Sequence, residues 1–352
     1  MIQRRSNSPS KIPELCEIRA QLGAAVTQMK ARSATLPAAI RRSRSKISPA
    51  KSKSALNVKG KTVPVSNLDK IFYPETGFTK AQVIDYYIRI SPVLLPHLKD
   101  RPLTLKRYPD GVQGGFFYEK RCPSYRPEWI QTATVWSERH DSEIHYCMAN
   151  DLPSIVWAAN LGDLELHTFL AKKQNVERPT MVVFDLDPGP PANIVQCAQV
   201  AQWLKSELED VGLESFPKTS GSKGLQIYIP LNTPVSYEET KPFAREMAER
   251  LTREHPELVV ARMEKRLRGG KVFVDWSQND SHKTTVCAYS LRAKARPTIS
   301  APVTWEEVAS ALKKRDANIL SFLSDEVLER VAKKGDLFEP VLKLKQKLPA
   351  LD

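Results

Sequence analysis

An apolar run that ends in two aspartates one residue apart constrains the fold of this chain more than any other segment. Residues 181–190 have the sequence Met-Val-Val-Phe-Asp-Leu-Asp-Pro-Gly-Pro. The pattern predicts a buried strand that stops at a Pro/Gly turn. Because side chains alternate along a strand, Asp185 and Asp187 point to one side and Leu186 to the other. Two adjacent carboxylates repel each other, so the pair is a candidate site for Mg²⁺ or Mn²⁺, with a strand-end turn as the alternative.

The net charge of +13 is concentrated at the N-terminus. Residues 1–60 hold thirteen Lys and Arg against two acids, and runs such as Arg41-Arg42-Ser43-Arg44 are rich in bases and serine. Such segments bury too little apolar surface to fold alone, and they suit loose contact with phosphates. We therefore predict a basic, largely disordered extension over 1–60, a catalytic domain over 61–345 and a short tail over 346–352. Alternatively, the extension is a solvated tail without function, or the start codon has been assigned too far upstream. One helix is predicted within the extension, at 14–31.

The remaining composition excludes several classes of protein. The chain has 352 residues, of which 41% are hydrophobic and 26% charged, as in a folded globular protein. No apolar stretch is long enough to cross a bilayer, and no secretory signal is recognisable, so we predict a cytoplasmic protein without a membrane partner. The five cysteines lie singly along the sequence, which predicts reduced thiols rather than a zinc site or a disulfide framework.

Strands and helices mix without the regular alternation of a doubly wound sheet. Thr79 is a predicted N-cap for a helix that carries Val83, Ile84, Tyr87 and Ile90 on one face. Further helices are predicted at 154–162, 192–211, 239–254, 304–313 and 325–334, and strands at 103–108, 164–170, 227–229 and 272–275.

Three downstream segments reinforce the aspartate pair. Residues 219–224, Thr-Ser-Gly-Ser-Lys-Gly, form a small-residue turn in which Lys223 can meet a phosphate. Asp275 ends a second apolar strand and is a candidate third ligand for a pair of metal ions. Arg292 lies in a basic segment that can contact phosphate oxygens. Each segment also has an ordinary structural interpretation. The turn at 219–224 is then a plain loop, Asp275 a turn aspartate, and the segment around Arg292 a solvated basic edge.

Together with these segments, three further motifs carry a family resemblance. They are Asn67-Leu68-Asp69-Lys70, Lys106-Arg107-Tyr108-Pro109-Asp110-Gly111 and Asn160-Leu161-Gly162-Asp163-Leu164-Glu165-Leu166-His167. Residues from about 62 to 345 resemble the polymerase domain of bacterial ATP-dependent DNA ligase D, within the archaeo-eukaryotic primase superfamily. The resemblance implies a mixed α/β (α+β) primase-type catalytic fold, with two mixed sheet modules flanking a central active-site cleft.

The resemblance also implies roles for individual residues. It assigns metal binding and catalysis to Asp185, Asp187 and Asp275. It assigns the incoming nucleoside triphosphate to His167, Ser220, Lys223, Gln278 and Arg292. It assigns DNA to Lys70, Lys80, Lys106, Arg107, Phe116, Phe117 and Arg268, with Lys70 and Lys80 at a downstream 5′-phosphate, the phenylalanines under a template base and Arg268 on a mobile loop. From sequence alone, two adjacent phenylalanines are more often core residues, and each lysine a surface residue.

The sequence departs from the family in two respects. Gln226 stands where many members have His, and Gln cannot titrate near neutral pH. No Lys-x-Asp-Gly ligase motif is present, so we expect a free-standing primase-polymerase similar to those of actinobacteria.

The function predicted from this resemblance is template-directed nucleotidyl transfer that fills short DNA gaps with a preference for ribonucleoside triphosphates. The expected cofactors are two Mn²⁺ or Mg²⁺ ions. The expected partners are gapped or nicked DNA with a 5′-phosphate and either a separate ATP-dependent ligase or a Ku-type protein. We expect a monomer at the bacterial nucleoid, and leave end joining and excision repair open as pathways. The alternatives are primer synthesis from free nucleotides, or a non-catalytic gap-binding module that recruits a ligase.

Overall fold

The computed structural model describes residues 13–34, 54–138 and 141–350. The helices of this part of the chain are α1 (Pro13–Ala34), α2 (Lys80–Leu98), α3 (Leu152–Asn160), α4 (Ile194–Asp210), α5 (Tyr237–Glu254), α6 (Trp305–Lys314), α7 (Ser324–Lys334) and α8 (Glu339–Lys343). The strands up to the aspartate pair are β1 (Ser54–Val58), β2 (Lys61–Val65), β3 (Ile71–Tyr73), β4 (Phe78–Thr79), β5 (Leu103–Arg107), β6 (Phe117–Glu119), β7 (Thr132–Ser137), β8 (Ser142–Cys147), β9 (Asp163–Thr168), β10 (Ala171–Lys172), β11 (Asn175–Pro179) and β12 (Met181–Pro188). The later strands are β13 (Phe216–Thr219), β14 (Leu225–Pro230), β15 (Val259–Val260), β16 (Val272–Asp275) and β17 (Thr285–Val286).

Two sheets organise the molecule. The first has the order β13-β14-β12-β16-β15, with β15 and β16 parallel and the other neighbours antiparallel. The second has the order β17-β9-β5-β8-β7, with β6 also on β5, and its pairs are antiparallel. The predicted mixed α/β architecture with two sheet modules is confirmed, as is each predicted helix and strand to within a few residues at its ends.

The alternation of β12 decides where the aspartates point. Val182, Phe184 and Leu186 are wholly buried against α4, α5 and α6. Met181 and Val183 instead join the core that contains the second sheet and α2. Asp185 and Asp187 share their side of the strand, so they emerge in the cleft between the two sheets.

The N-terminal helix α1 is part of the fold. Its residues Leu15, Ile18, Leu22 and Met29 are at most 6% exposed and belong to the main core. The predicted helix at 14–31 is confirmed and extends by a residue or more at each end.

The predicted domain boundary at residue 61 is wrong. Strand β1 pairs with β2 from Ser54 opposite Val65 to Val58 opposite Lys61. Leu56 and Val58, which alternate with less buried residues along β1, are fully buried. This short strand pattern was not recognised in the sequence because it directly follows the basic-serine run. At the other end, the backbone N–H of Gln346 donates to Leu231 O at 2.9 Å, so the folded part extends past 345. The disorder predicted elsewhere in the extension concerns residues 1–12 and 35–53, which lie outside the described residues.

The prediction of reduced thiols at all five cysteines is also wrong. Cys122 and Cys147 form a disulfide, while Cys16, Cys197 and Cys287 are not disulfide-bonded. Cys147 ends β8, and the backbone N–H of Cys122 donates to His145 O at 2.7 Å, so the two chain segments run side by side. The spacing of the cysteines along the chain does not predict this disulfide, because the two cysteines meet only when the segment around Cys122 lies beside β8.

Candidate functional site

The three predicted acidic ligands lie on neighbouring strands. Asp185 on β12 is directly opposite Asp275 on β16, and Asp187 follows on the same side of β12. The carboxylate of Asp275 is already engaged in its own turn. Its Oδ1 accepts from Ser277 N at 2.9 Å and Ser277 Oγ at 2.6 Å, and its Oδ2 accepts from Gln278 Nε2 at 2.9 Å.

The electrostatics of this trio favour a cation. Burial, with Asp187 and Asp275 close by, raises the pKa of Asp185 to about 7. Burial and the neighbouring Asp275 also raise the pKa of Asp187. Asp185 Oδ1 is shielded from solvent and has no hydrogen-bond partner among the described residues. A divalent ion bound by these oxygens would offset the mutual repulsion of the carboxylates.

The positions of the side chains nevertheless do not form a complete cage. Among the described ranges, no group of three His, Cys, Asp or Glu side chains is placed to hold a metal ion. Both oxygens of Asp275 face donors in its turn, so it would have to exchange these contacts to bind a metal. The metal-binding role of the trio therefore stays a prediction, supported by the exposed Asp187 and the unpartnered oxygen of Asp185.

The Ser/Gly turn lies beside the aspartates. Ser220 Oγ accepts from the backbone N–H groups of Ser222 at 3.2 Å and Gly224 at 3.1 Å, which fixes the turn. A Cβ at Gly224 would lie 1.9 Å from Leu186 O, so only glycine lets the turn approach β12 this closely. Lys223 is exposed, and its positive charge opposes part of the rise in the pKa of Asp187.

Buried Glu165, on β9 of the second sheet, lies close to three basic side chains. Glu165 is 1% exposed, and its Oε2 lies 3.1 Å from Lys106 Nζ, 3.1 Å from His167 Nε2 and 3.3 Å from Arg292 Nε. Burial alone would raise the pKa of Glu165, but the hydrogen bond to His167 and the nearby charges hold it well below its usual range. Burial lowers the pKa of His167, which favours the neutral imidazole at neutral pH. Arg292 also donates to Ser220 O at 2.5 Å and so connects Glu165 to the turn.

A cavity of about 430 Å³ unites most of the predicted nucleotide and metal residues. Its lining includes His167, Asp185, Asp187, Ser220, Gln278 and Arg292. Lys223 instead lines an adjacent cavity of about 380 Å³, and Ser222 borders both. The structure thus brings four of the five predicted nucleotide residues and two of the three predicted metal ligands to one cavity, while Lys223 lines the adjacent cavity and Asp275 lines neither.

The two lysines predicted to meet a 5′-phosphate lie near each other outside this cavity. Lys80 is 5% exposed, and its Nζ donates to Ser66 O at 2.8 Å. Burial, with the charges of Lys70 and Arg107, lowers the pKa of Lys80 to about 7. Lys70 Nζ donates to Pro109 O at 2.6 Å and Asp110 Oδ1 at 2.5 Å. The sequence-based alternative of a surface residue is wrong for Lys80.

Aromatic side chains are exposed on and beside β6. Phe116 and Phe117 are 53% and 43% exposed, so the alternative that both are core residues is wrong. Phe116 stacks on Tyr108 with ring centroids 5.3 Å apart, and Lys106 Nζ lies 4.8 Å from the centroid of Phe116. Such an exposed aromatic surface suits base stacking.

The remaining predicted DNA contacts are held by protein groups. Lys106 faces Glu165, and Arg107 is paired with Glu119 at 2.8 Å. Arg268 donates to Met263 O at 2.6 Å and lies over the ring of Phe273, 3.7 Å from its centroid. Contact of these three side chains with DNA stays a prediction.

Sequence analysis missed two residues of the site, Glu165 and Lys218. The alternation Asp163-Leu164-Glu165-Leu166-His167 could have placed Glu165 beside His167 on one face of a strand. Lys218 has no solvent exposure and lies on β13, a four-residue strand that the sequence did not reveal.

Comparison with known proteins agrees with this architecture. Residues 79–338 match the family described as LigD, primase-polymerase domain. The chain is 40% identical over 281 residues to the multifunctional non-homologous end joining protein LigD of Mycolicibacterium smegmatis, covering 79% of this chain and 36% of that protein. It is 35% identical over 272 residues to the bifunctional LigD of Bacillus subtilis, covering 77% of this chain and 42% of that protein.

A solved structure gives the same result. The polymerase domain of Mycobacterium tuberculosis ligase D in complex with DNA matches with a TM-score of 0.74 and 40% identity, over 79% of this chain and 97% of that one. The two-sheet fold is that of a primase-polymerase domain. The chain belongs to the LigD primase-polymerase domain family, and it spans about two-fifths or less of the length of these curated relatives.

Proposed function

We propose that this protein adds nucleotides to a DNA primer end at short gaps, preferring ribonucleoside triphosphates and using two Mn²⁺ or Mg²⁺ ions. The observation that carries the proposal is the placement of Asp185 opposite Asp275, beside a cavity that also contains Arg292 and His167. The apposed carboxylates support a metal-binding role, and the cationic and neutral donors nearby support binding of a triphosphate.

The residues of the cleft have distinct tasks in this proposal. Bound at Asp185, Asp187 and Asp275, divalent ions would activate the primer 3′-hydroxyl and stabilise the pyrophosphate leaving group. Arg292, held by Glu165 and Ser220 O, presents its charge to the triphosphate without losing much rotamer freedom. Lys223, exposed at the margin of the cavity, is placed for the distal phosphates.

Gln278 supports the proposed preference for ribonucleotides. Its Nε2 donates to Asp275 Oδ2, and its Oε1 has no hydrogen-bond partner among the described residues. The side chain lines the cavity, where that oxygen can accept from a sugar hydroxyl.

The proposed DNA substrate is a gap with a downstream 5′-phosphate. Among the described residues, buried Lys80 has only a backbone carbonyl as its partner. Burial lowers the pKa of Lys80, and the nearby charge of Lys70 adds to this effect. An incoming phosphate would relieve this repulsion between like charges. A separate ATP-dependent ligase or a Ku-type protein remains the proposed partner, in line with the end-joining names of the relatives.

The test is extension of a gapped duplex that carries a 5′-phosphate, with ribo- and deoxynucleotides compared under Mn²⁺ and Mg²⁺. We expect template-directed addition that is faster with ribonucleotides. Binding to the gap with no incorporation under either ion would instead indicate a non-catalytic recruiting module. Product formed on a single-stranded template without a primer would indicate primer synthesis.

A further inference from the structure

A row of four polar side chains crosses the first sheet beneath the cleft. Lys218 on β13 is opposite Gln226 on β14, Gln226 is opposite Asp185 on β12, and Asp185 is opposite Asp275 on β16. Residues directly opposite each other on neighbouring strands point to the same side of a sheet, so all four side chains share one face.

The first member of the row is a buried lysine without an acidic partner in contact. Lys218 has no solvent exposure, and it forms no ion pair with the residues that the structure describes. Its Nζ donates to Gln226 Oε1 at 2.5 Å and to Ser300 Oγ at 2.6 Å. Burial of an ammonium group is unfavourable without such acceptors, so Lys218 has a strong requirement for the Gln226 carbonyl oxygen.

This contact fixes the orientation of the Gln226 amide. Lys218 Nζ donates to Gln226 Oε1, so the NH₂ group of this amide points away from the lysine. The NH₂ group is then available to the opposite strand, where Asp185 lies directly across from Gln226. Asp185 Oδ1 has no hydrogen-bond partner in the described part of the chain, so the carboxylate keeps an oxygen available for a cation.

We propose that Lys218 and Gln226 are positioning residues that orient the Asp185 carboxylate for metal binding, with Lys218 acting through the amide of Gln226. The inference rests on the metal-binding role of Asp185 in the proposed function. It explains why a lysine is buried on this face, and why glutamine at 226 suits the chain without any need for a titrating group.

The experiment measures Mn²⁺ affinity in the full chain without nucleotide, from the electron paramagnetic resonance signal of the free ion. The variants are Lys218→Met, Gln226→Leu, their combination and Asp185→Asn. We expect each single variant to weaken Mn²⁺ binding by about tenfold, as for other residues that orient metal ligands. The double variant should be at most slightly weaker than Gln226→Leu alone, because Lys218 acts mainly through that amide.

Arg101→Met is the matched control. Arg101 is also a buried cation, 4% exposed, whose partners are the carbonyl oxygens of Phe169 and Leu170 and the hydroxyl of Thr180. We expect this variant to unfold at a lower temperature while its Mn²⁺ affinity is unchanged.

The outcomes separate the possible failures. Unchanged Mn²⁺ affinity in the double variant would overturn the proposal. This variant can also be used if Lys218→Met alone does not fold, because it removes both members of the pair and leaves neither unpartnered. Multiplied effects of the two substitutions would also overturn it, because Lys218 would then act on Asp185 directly by its charge. Unchanged affinity in Asp185→Asn would instead mean that the proposed metal role of Asp185 is wrong.

Discussion

Asp185 and Asp275 lie directly opposite each other on antiparallel strands although 90 positions separate them in the sequence. Asp275 ends β16 and Asp185 lies within β12 after its apolar residues. Burial, Asp187 and the apposed Asp275 together raise the pKa of Asp185. The chemistry proposed for the protein depends on this apposition.

The first prediction concerns the aspartate pair. We expect Asp185→Ala combined with Asp187→Ala to abolish primer extension, because the carboxylates that would position the ions are lost. Gapped-DNA affinity, measured by fluorescence anisotropy, should stay within about twofold of wild type, a difference of about 0.4 kcal/mol. Glu209→Ala with Asp210→Ala removes two acids at the end of α4 and is the control. Extension by the cleft variant at a rate near wild type would contradict the assignment.

The second prediction concerns Glu165. Replacement by Gln leaves Arg292 and Lys106 without their shared carboxylate, so both side chains lose their fixed positions. We expect the KM for nucleotide to rise about tenfold, equivalent to about 1.4 kcal/mol of binding energy. Glu307→Gln is a matched control, because Glu307 pairs with Arg330 and Lys334 away from the cleft. Steady-state kinetics that showed an equal KM in both variants would refute the role of Glu165.

The third prediction is a pH dependence of 5′-phosphate recognition. The pKa of Lys80 is lowered to about 7, so its charge is present below that pH and is lost as the pH rises. The preference for 5′-phosphorylated over 5′-hydroxyl gaps should therefore decrease between about pH 7 and pH 9. Binding measured across this range should give a flat profile for Lys80→Arg, since arginine stays charged. A decrease of the same size in Lys80→Arg would assign the titration to another group.

The fourth prediction concerns the basic segment at 41–46. We expect Arg41, Arg42, Arg44 and Lys46, all changed to Ala, to weaken non-specific DNA binding and to lower the salt slope by up to about 3.6, the value for four neutralised phosphates. Deletion of the whole extension would not test this, because α1 and β1 contribute to the core. An unchanged slope would mean that this segment does not contact DNA.

The fifth prediction concerns the packing of α1. Ile18 is 2% exposed, so Ile18→Ala should lower the free energy of unfolding by about 2–5 kcal/mol. Gln28→Ala on the exposed side of the same helix should have little effect. Chemical denaturation measures both, and equal stability of the two variants would show that α1 does not add to the core in solution.

The sequence was informative where local periodicity determines structure. Alternation along 181–187 was enough to place Asp185 and Asp187 on one side of a strand, and Thr79 correctly marked the start of α2. Local pattern could not predict the pairing of Cys122 with Cys147, because it follows from the order of strands in the second sheet. The burial of Lys218 was also hidden, since a lysine in a short segment gives no sign of its depth. The roles of individual site residues came from family resemblance, and the structure shows which of them share a cavity.

The shared carboxylate of Glu165 has a consequence for engineering. Lys106 lies among the exposed aromatic rings, and Arg292 lines the cavity of about 430 Å³, yet both pair with the same acid. Substitutions chosen separately to alter the proposed template contacts and the proposed triphosphate contacts would therefore interact when combined. A library that varies the two surfaces together would sample combinations that stepwise optimisation of either one would miss.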